Sequence, residues 1–369
     1  MRVTAVELRD FRNYERAAVE LAPGLTIVAG PNGAGKTNLL EGVYFGCLAR
    51  SPRTNNDREL VRSGAAVARV VLSTEEEDGT AHAIEVGFAP GDTKAIRVDG
   101  ADVDSLSTSP VRPLASVFLP ERLELVKGAP ASRRAHLDRF VAAVWPARAE
   151  TRTAYSRALS QRNALLGRIR AGASSAATLD TWDGELARHG MQLMADRTEA
   201  VALLAPRFAE LGTLLGLPEA VALEYRPRSD ADDIAGLAAE LAERRAADLD
   251  RGFTAHGPHR DDLRLAHGGR ALRQYGSQGQ QRVALLALLF AERDVLRDER
   301  GATPLMLLDD VMSELDVSRR ALLAELLREG GQSLLTTTEV AHVPDAGDAA
   351  TRVIEVERGT AHPAEVAPT

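Results

Sequence analysis

Glycine, lysine and threonine are spaced at residues 30–37 as a phosphate-binding loop requires. The segment reads GPNGAGKT and fits the pattern G-x-x-x-x-G-K-[ST]. Its glycines let backbone N–H groups curl around phosphate oxygens, and the positive end of the following helix attracts negative charge. In such a loop Lys36 reaches the β and γ phosphates of a nucleotide and Thr37 ligates Mg²⁺. The alternative is a glycine turn without function, but only 3 lysines stand beside 42 arginines, which argues against a chance lysine here.

Two aspartates end the apolar run LMLLDD later in the chain. A phosphate-binding loop needs an acidic metal partner at the end of a buried strand, so we expect Asp309 to hold Mg²⁺, directly or through water. Asp310 would orient or deprotonate the attacking water, which makes Lys36 and Asp310 the candidate catalytic residues. Taken alone, two such acids indicate a solvated strand end or a helix cap.

A second anion site is predicted in YGSQGQQR at 275–282, where a long apolar helix begins. Ser277, the backbone N–H of Gly279 and the helix N-terminus would supply the donors. The alternative is a capped helix with Ser277 as its N-cap. The position of the segment shortly before the acidic strand favours the anion site.

The elements around these residues predict an α/β fold interrupted by helices. TIVAG reads as a strand that leads into residues 30–37, and an apolar periodic helix follows. Short strands dominate the regions 1–120 and 251–369, which we expect to form the two parts of one α/β domain. Residues 121–250 show apolar spacings of three and four and predict a helical lobe, with one helix from about 147 to 170 on the order of 35 Å long. Only the last dozen residues read as a tail.

Composition restricts the class of protein. The chain has 369 residues, 45 basic against 53 acidic residues, a net charge of −8 and 44% hydrophobic residues. These values are typical of a soluble protein with two domains or one interrupted domain, and they argue against a generic polyanion-binding protein. No apolar run approaches the roughly 20 residues of a membrane span, and no signal peptide opens the chain. The single Cys47 excludes an internal disulfide and a thiolate metal cage, so a cytoplasmic location is expected.

The order of the motifs resembles that of ABC-type ATPase heads. Residues 30–37 correspond to Walker A, 275–282 to the signature, LMLLDD to Walker B, SELD at 313–316 to the D-loop and the threonines at 336–338 to the switch. Within that superfamily the chain resembles the RecF family of bacterial DNA replication and repair proteins. The resemblance lies in LRDFRNYE at 8–15, SPRTNNDREL at 51–60, FLPERLELVKGAPASRRAHLD at 118–138 and GPHRDDL at 257–263.

The resemblance implies a fold, ligands and partners. It implies an ABC-type P-loop ATPase head with an inserted helical lobe, and a homodimer in which ATP joins the Walker A loop of one copy to Ser277 of the other. It further implies DNA binding near single-/double-strand junctions, help in loading RecA with RecR and RecO, slow DNA-dependent hydrolysis, and no membrane partner. The implied cofactors are ATP and Mg²⁺, with Thr37 and Asp309 at the metal. The implied nucleotide contacts are Arg12, Asn13, Gly30, Pro31, Asn32, Gly33, Ala34, Gly35, Lys36, Thr37, Asn38, Ser277, Gly279 and Gln280.

Three departures from transporter-type heads predict slow hydrolysis. Asp310 stands where those heads carry a glutamate, and its shorter side chain leaves water further from the γ-phosphate. Thr337 or Thr338 replaces the switch histidine, and Glu121 is the nearest polar candidate for the missing Q-loop glutamine. The open alternatives are another SMC-like head, a nucleotide-binding subunit of a transporter, and a structural dimer that binds ATP without cleaving it.

A basic segment is the candidate for the DNA contact. Residues 131–170 contain nine arginines and two acids, a local charge of +7. Helical arginines can neutralise phosphates without reading bases, and Trp145 and Tyr155 could stack on an exposed strand. The alternative is a solvated helix surface in an arginine-biased chain. His256 and His259 have metal-ligand spacing but no accompanying acidic or thiolate cage, so no metal is expected there.

Overall fold

The computed structural model describes residues 1–106 and 109–364, with Glu314 described for its backbone alone. The chain divides into two compact units. Residues 1–122 and 296–369 form the first, called here the nucleotide unit, and residues 123–295 form the second, called here the helical unit. The predicted boundary at 250 differs from this division, in which residues 251–295 group with the helical unit.

The strands of the described residues are β1 (Arg2–Phe11), β2 (Tyr14–Glu20), β3 (Leu25–Ala29), β4 (Ala68–Glu75), β5 (Ala81–Phe88), β6 (Ala95–Val98), β7 (Ala101–Asp102), β8 (Ala115–Phe118), β9 (Val221–Arg226), β10 (Asp262–His267), β11 (Arg270–Ala271), β12 (Leu305–Leu308), β13 (Ser333–Thr337), β14 (Arg352–Glu357) and β15 (Thr360–Pro363). The helices are α1 (Lys36–Leu48), α2 (Glu124–Lys127), α3 (Pro130–Val144), α4 (Ala149–Arg170), α5 (Leu179–Leu214), α6 (Ile234–Glu243), α7 (Arg245–Arg251), α8 (Leu272–Tyr275), α9 (Gln278–Arg300) and α10 (Val317–Glu329).

A mainly parallel sheet holds the candidate catalytic residues of the nucleotide unit. Its strand order is β15-β14-β3-β13-β12-β8, and β3 pairs in parallel with both β13 and β14. Every residue of β3, β12 and β13 is buried, as expected for strands covered on both faces. The carboxyl ends of β3, β12 and β13 therefore lie at one edge of the sheet. Residues 30–37 follow β3 and residues 309–310 follow β12 there, and threonines 336–338 lie at the end of β13.

An antiparallel sheet forms the second layer of the nucleotide unit. Its order is β2-β1-β4-β5-β6-β7, and β1, β2 and β4 alternate buried and exposed residues, so one face packs inward. Helix α1 contacts strands of both sheets, and one apolar core joins Val28, Leu39, Leu72 and Leu334. The helix that starts at Lys36 is thus held between two sheets.

In the helical unit, helices α3 and α5 contact a small antiparallel sheet of order β11-β10-β9, and helices α4, α6 and α7 pack against α5 or against one another. Helix α4 has 22 residues and lies where one helix was predicted, whereas α5 is longer, with 36 residues and an expected length of about 54 Å. Strand β9 contradicts the all-helical expectation for residues 121–250. It pairs with β10, Val221 opposite His267, a contact that no local spacing reveals.

The end of the chain is a second correction. The last dozen residues, which the sequence predicted to be a tail, include β15. This strand pairs with β14 to form a hairpin at the edge of the parallel sheet. This hairpin is part of the nucleotide unit because β14 also pairs with β3.

Candidate nucleotide-binding site

Two glycines of residues 30–37, Gly30 and Gly35, have no room for a side chain. Gly35 has φ +124, and a side chain there would place Cβ 2.6 Å from Asn13 Nδ2. A Cβ on Gly30 would lie 2.2 Å from the carbonyl oxygen of Val356 in β14. Because a real Cβ never approaches other atoms so closely, any larger residue would displace the loop from the sheet. The loop is therefore folded tightly between β3 and α1, as the sequence predicted.

Neighbouring residues hold the loop carbonyls. The carbonyl oxygen of Ala34 accepts hydrogen bonds from Asn13 Nδ2 and from the N–H of Gly359, both at 3.0 Å. The hydroxyl of Tyr14 donates to the carbonyl of Gly35 at 3.0 Å. With its carbonyls held in this way, the turn presents the N-terminal N–H groups of α1 as donors for an anion. Tyr14 and Gly359 were missed by sequence reasoning, because neither belongs to the loop motif.

Lys36 lies within the loop that it serves. Its Nζ donates to the carbonyl oxygens of Gly30 at 2.7 Å and Pro31 at 3.1 Å, and the residue is only 7% exposed. Burial lowers the pKa of its ammonium, and the negative charges of Asp310 and Asp309 oppose that shift. Two neutral carbonyls are weaker partners for an ammonium than charged phosphate oxygens. The lysine is thus placed to exchange them for a nucleotide.

Asp309 joins the two predicted motifs. Thr37 Oγ1 lies 2.8 Å from Asp309 Oδ1 and 2.9 Å from Oδ2, and Thr336 Oγ1 donates to Oδ1 at 2.7 Å. Burial raises the pKa of the Asp309 carboxyl, the charges of Asp310 and Glu121 raise it further, and the two hydroxyl hydrogen bonds oppose the rise. A divalent cation would reverse this balance, because it favours the ionised carboxylate.

Asp310 presents a buried oxygen without a partner. Its backbone takes φ +46, and its N–H donates to Thr336 Oγ1 at 2.9 Å. Its Oδ1 is buried and, within the part of the chain that the structure describes, accepts no hydrogen bond. A buried carboxylate oxygen of this kind requires a donor. Together with Thr37 and Asp309 it offers the hard oxygen ligands that suit Mg²⁺ and its water, so the residues fit this metal.

Within residues 1–106 and 109–364 no group of three or more histidine, cysteine, aspartate or glutamate side chains could hold a metal by itself. This does not conflict with Mg²⁺ beside Asp309, since that ion usually takes one or two carboxylates and completes its shell with phosphates and water. His256 contacts Glu240, and His259 contacts Tyr155 and the carbonyl of Thr254.

A buried glutamate on α1 organises the surroundings of the loop and was missed in the sequence. Glu41 is 0% exposed and accepts two hydrogen bonds of 2.8 Å from Arg12, one from Ser51 and one of 3.1 Å from Arg53. The third nitrogen of Arg12 donates to the carbonyl of Glu59. Arg12 therefore supports α1 in this structure, and its predicted contact with a nucleotide stays a prediction. Asn38 instead faces the loop, because its Nδ2 donates to Asn13 Oδ1 at 2.8 Å.

Thr337, which replaces the switch histidine, and Glu121, the candidate for the Q-loop glutamine, have different surroundings. Thr337 is buried and its hydroxyl donates to the carbonyl of Glu339 at 2.9 Å, so it is occupied within its own turn. Glu121 is exposed, and its charge affects the pKa of Asp309. Of these two candidates, Glu121 is the one whose charge reaches the predicted metal ligand.

Ser277 lies at an exposed helix start in the helical unit. Its Oγ accepts the N–H of Gln280 at 3.2 Å, and its own N–H donates to Gln280 Oε1 at 2.9 Å, which is a capping box. A Cβ on Gly279 would meet only Ser277 Oγ, at 4.0 Å, so packing within the chain does not require glycine there. Gln281 was not predicted; its amide donates to the carbonyls of Leu272 and Gly276 and fixes the turn before Ser277.

Much of the basic segment is committed to internal contacts, and its predicted contact with DNA stays a prediction. Arg162 is fully buried and pairs with Asp183 and Asp248, and Arg133 is buried against Asp262. Further pairs or hydrogen bonds occupy Arg134, Arg139, Arg148 and Arg152. Neither expected stacking residue is free, since Tyr155 is buried and Arg148 lies 4.1 Å from the ring of Trp145. The local +7 therefore overstates the charge that is open to a ligand, although Arg157, Arg168 and Arg170 are exposed.

Comparisons with known proteins agree with this architecture. The family model for the RecF/RecN/SMC N-terminal domain matches residues 2–362. The DNA replication and repair protein RecF of Heliobacterium modesticaldum is 39% identical over 347 residues, which cover 92% of this chain and 93% of that protein. A solved structure of the recombination mediator protein RecF with ATP in the RecFOR pathway superimposes with a TM-score of 0.87 at 28% identity, covering 99% of this chain and 98% of the other.

A more distant likeness concerns the fold alone. An SMC head bound to the C-terminal winged-helix domain of ScpA gives a TM-score of 0.59 at 16% identity, covering 100% of this chain and 98% of that one. The expected α/β fold, an ABC-type P-loop ATPase head, is confirmed. No helix of the described residues is both long and apolar enough to cross a membrane. The match over residues 2–362 and the 39% identity over nearly the full length show that the chain belongs to the RecF family of DNA replication and repair proteins.

Proposed function

We propose that the protein is an ATP-dependent DNA-binding protein of recombinational repair and replication-fork maintenance in the cytoplasm. The observation that carries the proposal is the contact of Thr37 with Asp309, which brings the predicted phosphate-binding loop and the predicted acidic strand end together. Beside them lies the unpartnered Oδ1 of Asp310. These three oxygen-bearing residues and Lys36 form the set that phosphoryl transfer from ATP requires.

Each residue has a distinct part in hydrolysis. Lys36 leaves the carbonyls of Gly30 and Pro31 and neutralises the β and γ phosphates of ATP. Thr37 and Asp309 would hold Mg²⁺, whose charge offsets that of the phosphates when it is bound. Asp310 orients water toward the γ-phosphate and accepts its proton on the carboxylate. The short aspartate and the missing switch histidine favour slow hydrolysis. From the family, we further propose that DNA stimulates this hydrolysis.

ATP controls assembly in this proposal. Ser277 and Gly279 are exposed at the start of α9, where an anion supplied by a second copy can reach the helix N-terminus. Among the described residues, only Ser277 Oγ, at 4.0 Å, lies near a Cβ built on Gly279, which leaves room for an anion there. ATP bound to the loop of one copy and to Ser277 of the other would hold a homodimer, which hydrolysis then releases.

The proposed role in DNA repair rests on the family to which the chain belongs. A similar solved structure is described as a recombination mediator with ATP in the RecFOR pathway. We therefore propose binding to gapped DNA near single-/double-strand junctions and help in loading RecA together with RecR and RecO. A transporter subunit is disfavoured by the family match over residues 2–362. A dimer that binds ATP without cleaving it would differ from the proposed ATPase in a single-turnover assay.

The test is whether dimerisation and DNA binding depend on ATP together. The full-length protein is sized by light scattering, and its binding to gapped duplex DNA is measured with ATP, with ADP and without nucleotide. We expect a dimer and tight DNA binding with ATP only, and neither in Lys36→Ala. A wild type that binds gapped DNA equally well without nucleotide would refute ATP control, and one that binds no DNA would refute the function.

A further inference from the structure

Three arginines lie side by side on the outer face of the antiparallel sheet. Arg9 of β1 is paired in register with Arg16 of β2 on one side and with Arg69 of β4 on the other. Their neighbours Leu8, Ala17 and Val70 are buried, so the alternation of the strands turns all three arginines outward. Adjacent strands are about 4.8 Å apart, which places the row of three within a width of about 10 Å.

Two of the three guanidinium groups are unpaired. Within residues 1–106 and 109–364, the side chains of Arg9 and Arg16 make no ion pair or hydrogen bond, and both residues are exposed. Arg69 is paired with Glu85 at 2.6 Å, but its side chain remains 49% exposed. The nearest acid on β1 with the same outward orientation is Glu7, whose partners in register are Ala18 and Val71. The row therefore keeps an excess of positive charge in a chain of net charge −8.

Such an arrangement is unfavourable for the folded protein alone. Like charges directly opposite each other on neighbouring strands are destabilising. Charged residues often protect the edge of a sheet, which accounts for Arg16 on the edge strand β2. It does not account for Arg9, because β1 lies between β2 and β4. An anionic ligand would offset the repulsion.

The surface beside the row is flat. The register continues from Arg69 to Gly87 on β5 and then to Ala95 on β6. Among the described residues, a Cβ on Gly87 would meet only Ala95, at 3.9 Å or more, so the space directly above Gly87 is open. A long polyanion can lie across such a surface, whereas a small anion would need an enclosed site.

We propose that Arg16, Arg9 and Arg69 form a phosphate-binding track for the backbone of DNA on this face of the nucleotide unit. The inference rests on the proposed function, since it names a surface that the bound DNA would contact. Successive phosphates of one strand rise about 3.4 Å along the duplex axis, so a width of about 10 Å accommodates two or three of them. Contacts to phosphates carry no sequence information directly, so the binding would be independent of base sequence.

The lobe arginines make this assignment more specific. Arg133, Arg148 and Arg162 are held by acidic side chains of the helical unit, so neutralising phosphates would require them to give up existing pairs. Arg9 and Arg16 have no ion pair among the described residues that they would have to break. Compared with these three paired arginines, the free guanidinium groups of Arg9 and Arg16 are the better source of phosphate contacts.

The test is a salt titration of DNA affinity with ATP present. The variant Arg9→Gln/Arg16→Gln removes the two unpaired charges, and Arg2→Gln/Arg97→Gln is the matched control. The control residues are also exposed and carry the same charge on this sheet, but they are paired with Glu75 and Asp102. We expect the first variant to lose roughly tenfold affinity per phosphate contact at 0.1 M salt, with the log–log slope lower by about 0.9 for each. The control should retain the wild-type slope.

The outcomes separate this inference from the proposed function. Both variants should keep the ATP-dependent dimer, which shows that they are folded. If the wild type binds DNA and Arg9→Gln/Arg16→Gln binds with the same affinity and slope, the track does not exist, although the function stands; this is also the result expected if the row contacts an acidic protein surface. If the wild type itself binds no DNA, the proposed DNA-binding function is refuted, and the track is refuted with it. A change in base preference would overturn the assignment to phosphates.

Discussion

Arg162 provides the sharpest test of how the basic segment is used. Its side chain is 0% exposed; its Nε donates to Asp183 Oδ1 at 2.6 Å, and its Nη1 donates to Asp248 Oδ2 at 2.8 Å and Thr254 Oγ1 at 2.7 Å. Asp183 has a second partner in Arg245, whereas Asp248 makes its ion pair with Arg162. Arg162→Ala would thus leave the buried Asp248 carboxylate without its cation.

The expected magnitude follows from that unpaired charge. Removing one partner of a buried ion pair costs about 3–5 kcal/mol, because the remaining charge stays desolvated. For a unit of this size, each kcal/mol lowers the midpoint of unfolding by about 2–4 °C. We therefore expect the thermal transition of the helical unit to fall by about 6–20 °C. The matched control is Arg157→Ala on the same helix, which is exposed and should change stability by less than about 0.5 kcal/mol.

Calorimetry and far-UV circular dichroism measure the transition, and DNA affinity is measured well below it. A buried structural role predicts a large thermal shift for Arg162→Ala and, in the protein that remains folded, DNA binding close to that of the wild type. A direct phosphate contact predicts the reverse, namely a small thermal shift and a clear loss of DNA affinity. A midpoint within about 2 °C of wild type would refute the reasoning from the buried pair.

The remaining predictions concern the nucleotide, the dimer and pH. Lys36→Arg should bind ATP nearly as poorly as Lys36→Ala, because the planar guanidinium crowds a loop in which Nζ lies 2.7 Å from a carbonyl oxygen; wild-type affinity in a nucleotide titration would contradict this. Asp310→Asn should keep the ATP-dependent dimer and slow single-turnover hydrolysis by about 100-fold or more, and an unchanged rate would remove Asp310 from the chemistry. Ser277→Arg should bind ATP as a monomer, and a normal dimer on a sizing column with ATP would place Ser277 outside the interface. Burial lowers the pKa of His259 from 6.5 to about 4, so the stability that its neutral ring contributes is complete above pH 6.5 and is lost as the pH falls toward 4. Relative to His259→Gln, the wild type should lose stability over that range, and a constant difference in unfolding free energy would contradict the assignment.

Local motifs made the nucleotide site predictable from the sequence. The loop at 30–37 combines residue types whose chemistry depends on nearest neighbours, and the strand before it and the helix after it are adjacent in the chain. The pair Asp309 and Asp310 was recognisable because an apolar run ended in two acids. The anion site at Ser277 was predicted from the start of a helix, whereas the role of Arg12, and the pairing of Ser277 with ATP on a second copy, came from the resemblance. The contacts of both residues with a nucleotide stay predictions.

The surroundings of the site depended on contacts between distant residues. Glu41 reads as one charged residue on an apolar helix, and only the folded chain brings Arg12, Ser51 and Arg53 to it. The hydrogen bond from the N–H of Gly359 to the carbonyl oxygen of Ala34 links the last hairpin to the loop before α1, more than three hundred residues away in the chain. Periodicity describes one element at a time, so it does not reveal such contacts.

The sequence by itself determined the chemistry of the loop, the class of the fold and the excess of arginine. The tertiary structure decided which arginines are available. Arg162 lies in the most basic stretch of the chain and is buried because Asp183 and Asp248 reach it from other helices. Arg9, Arg16 and Arg69 are scattered in the sequence and become a row only through the strand register. Burial and register are set by long-range pairing, so charge counted along the chain does not show where charge is exposed.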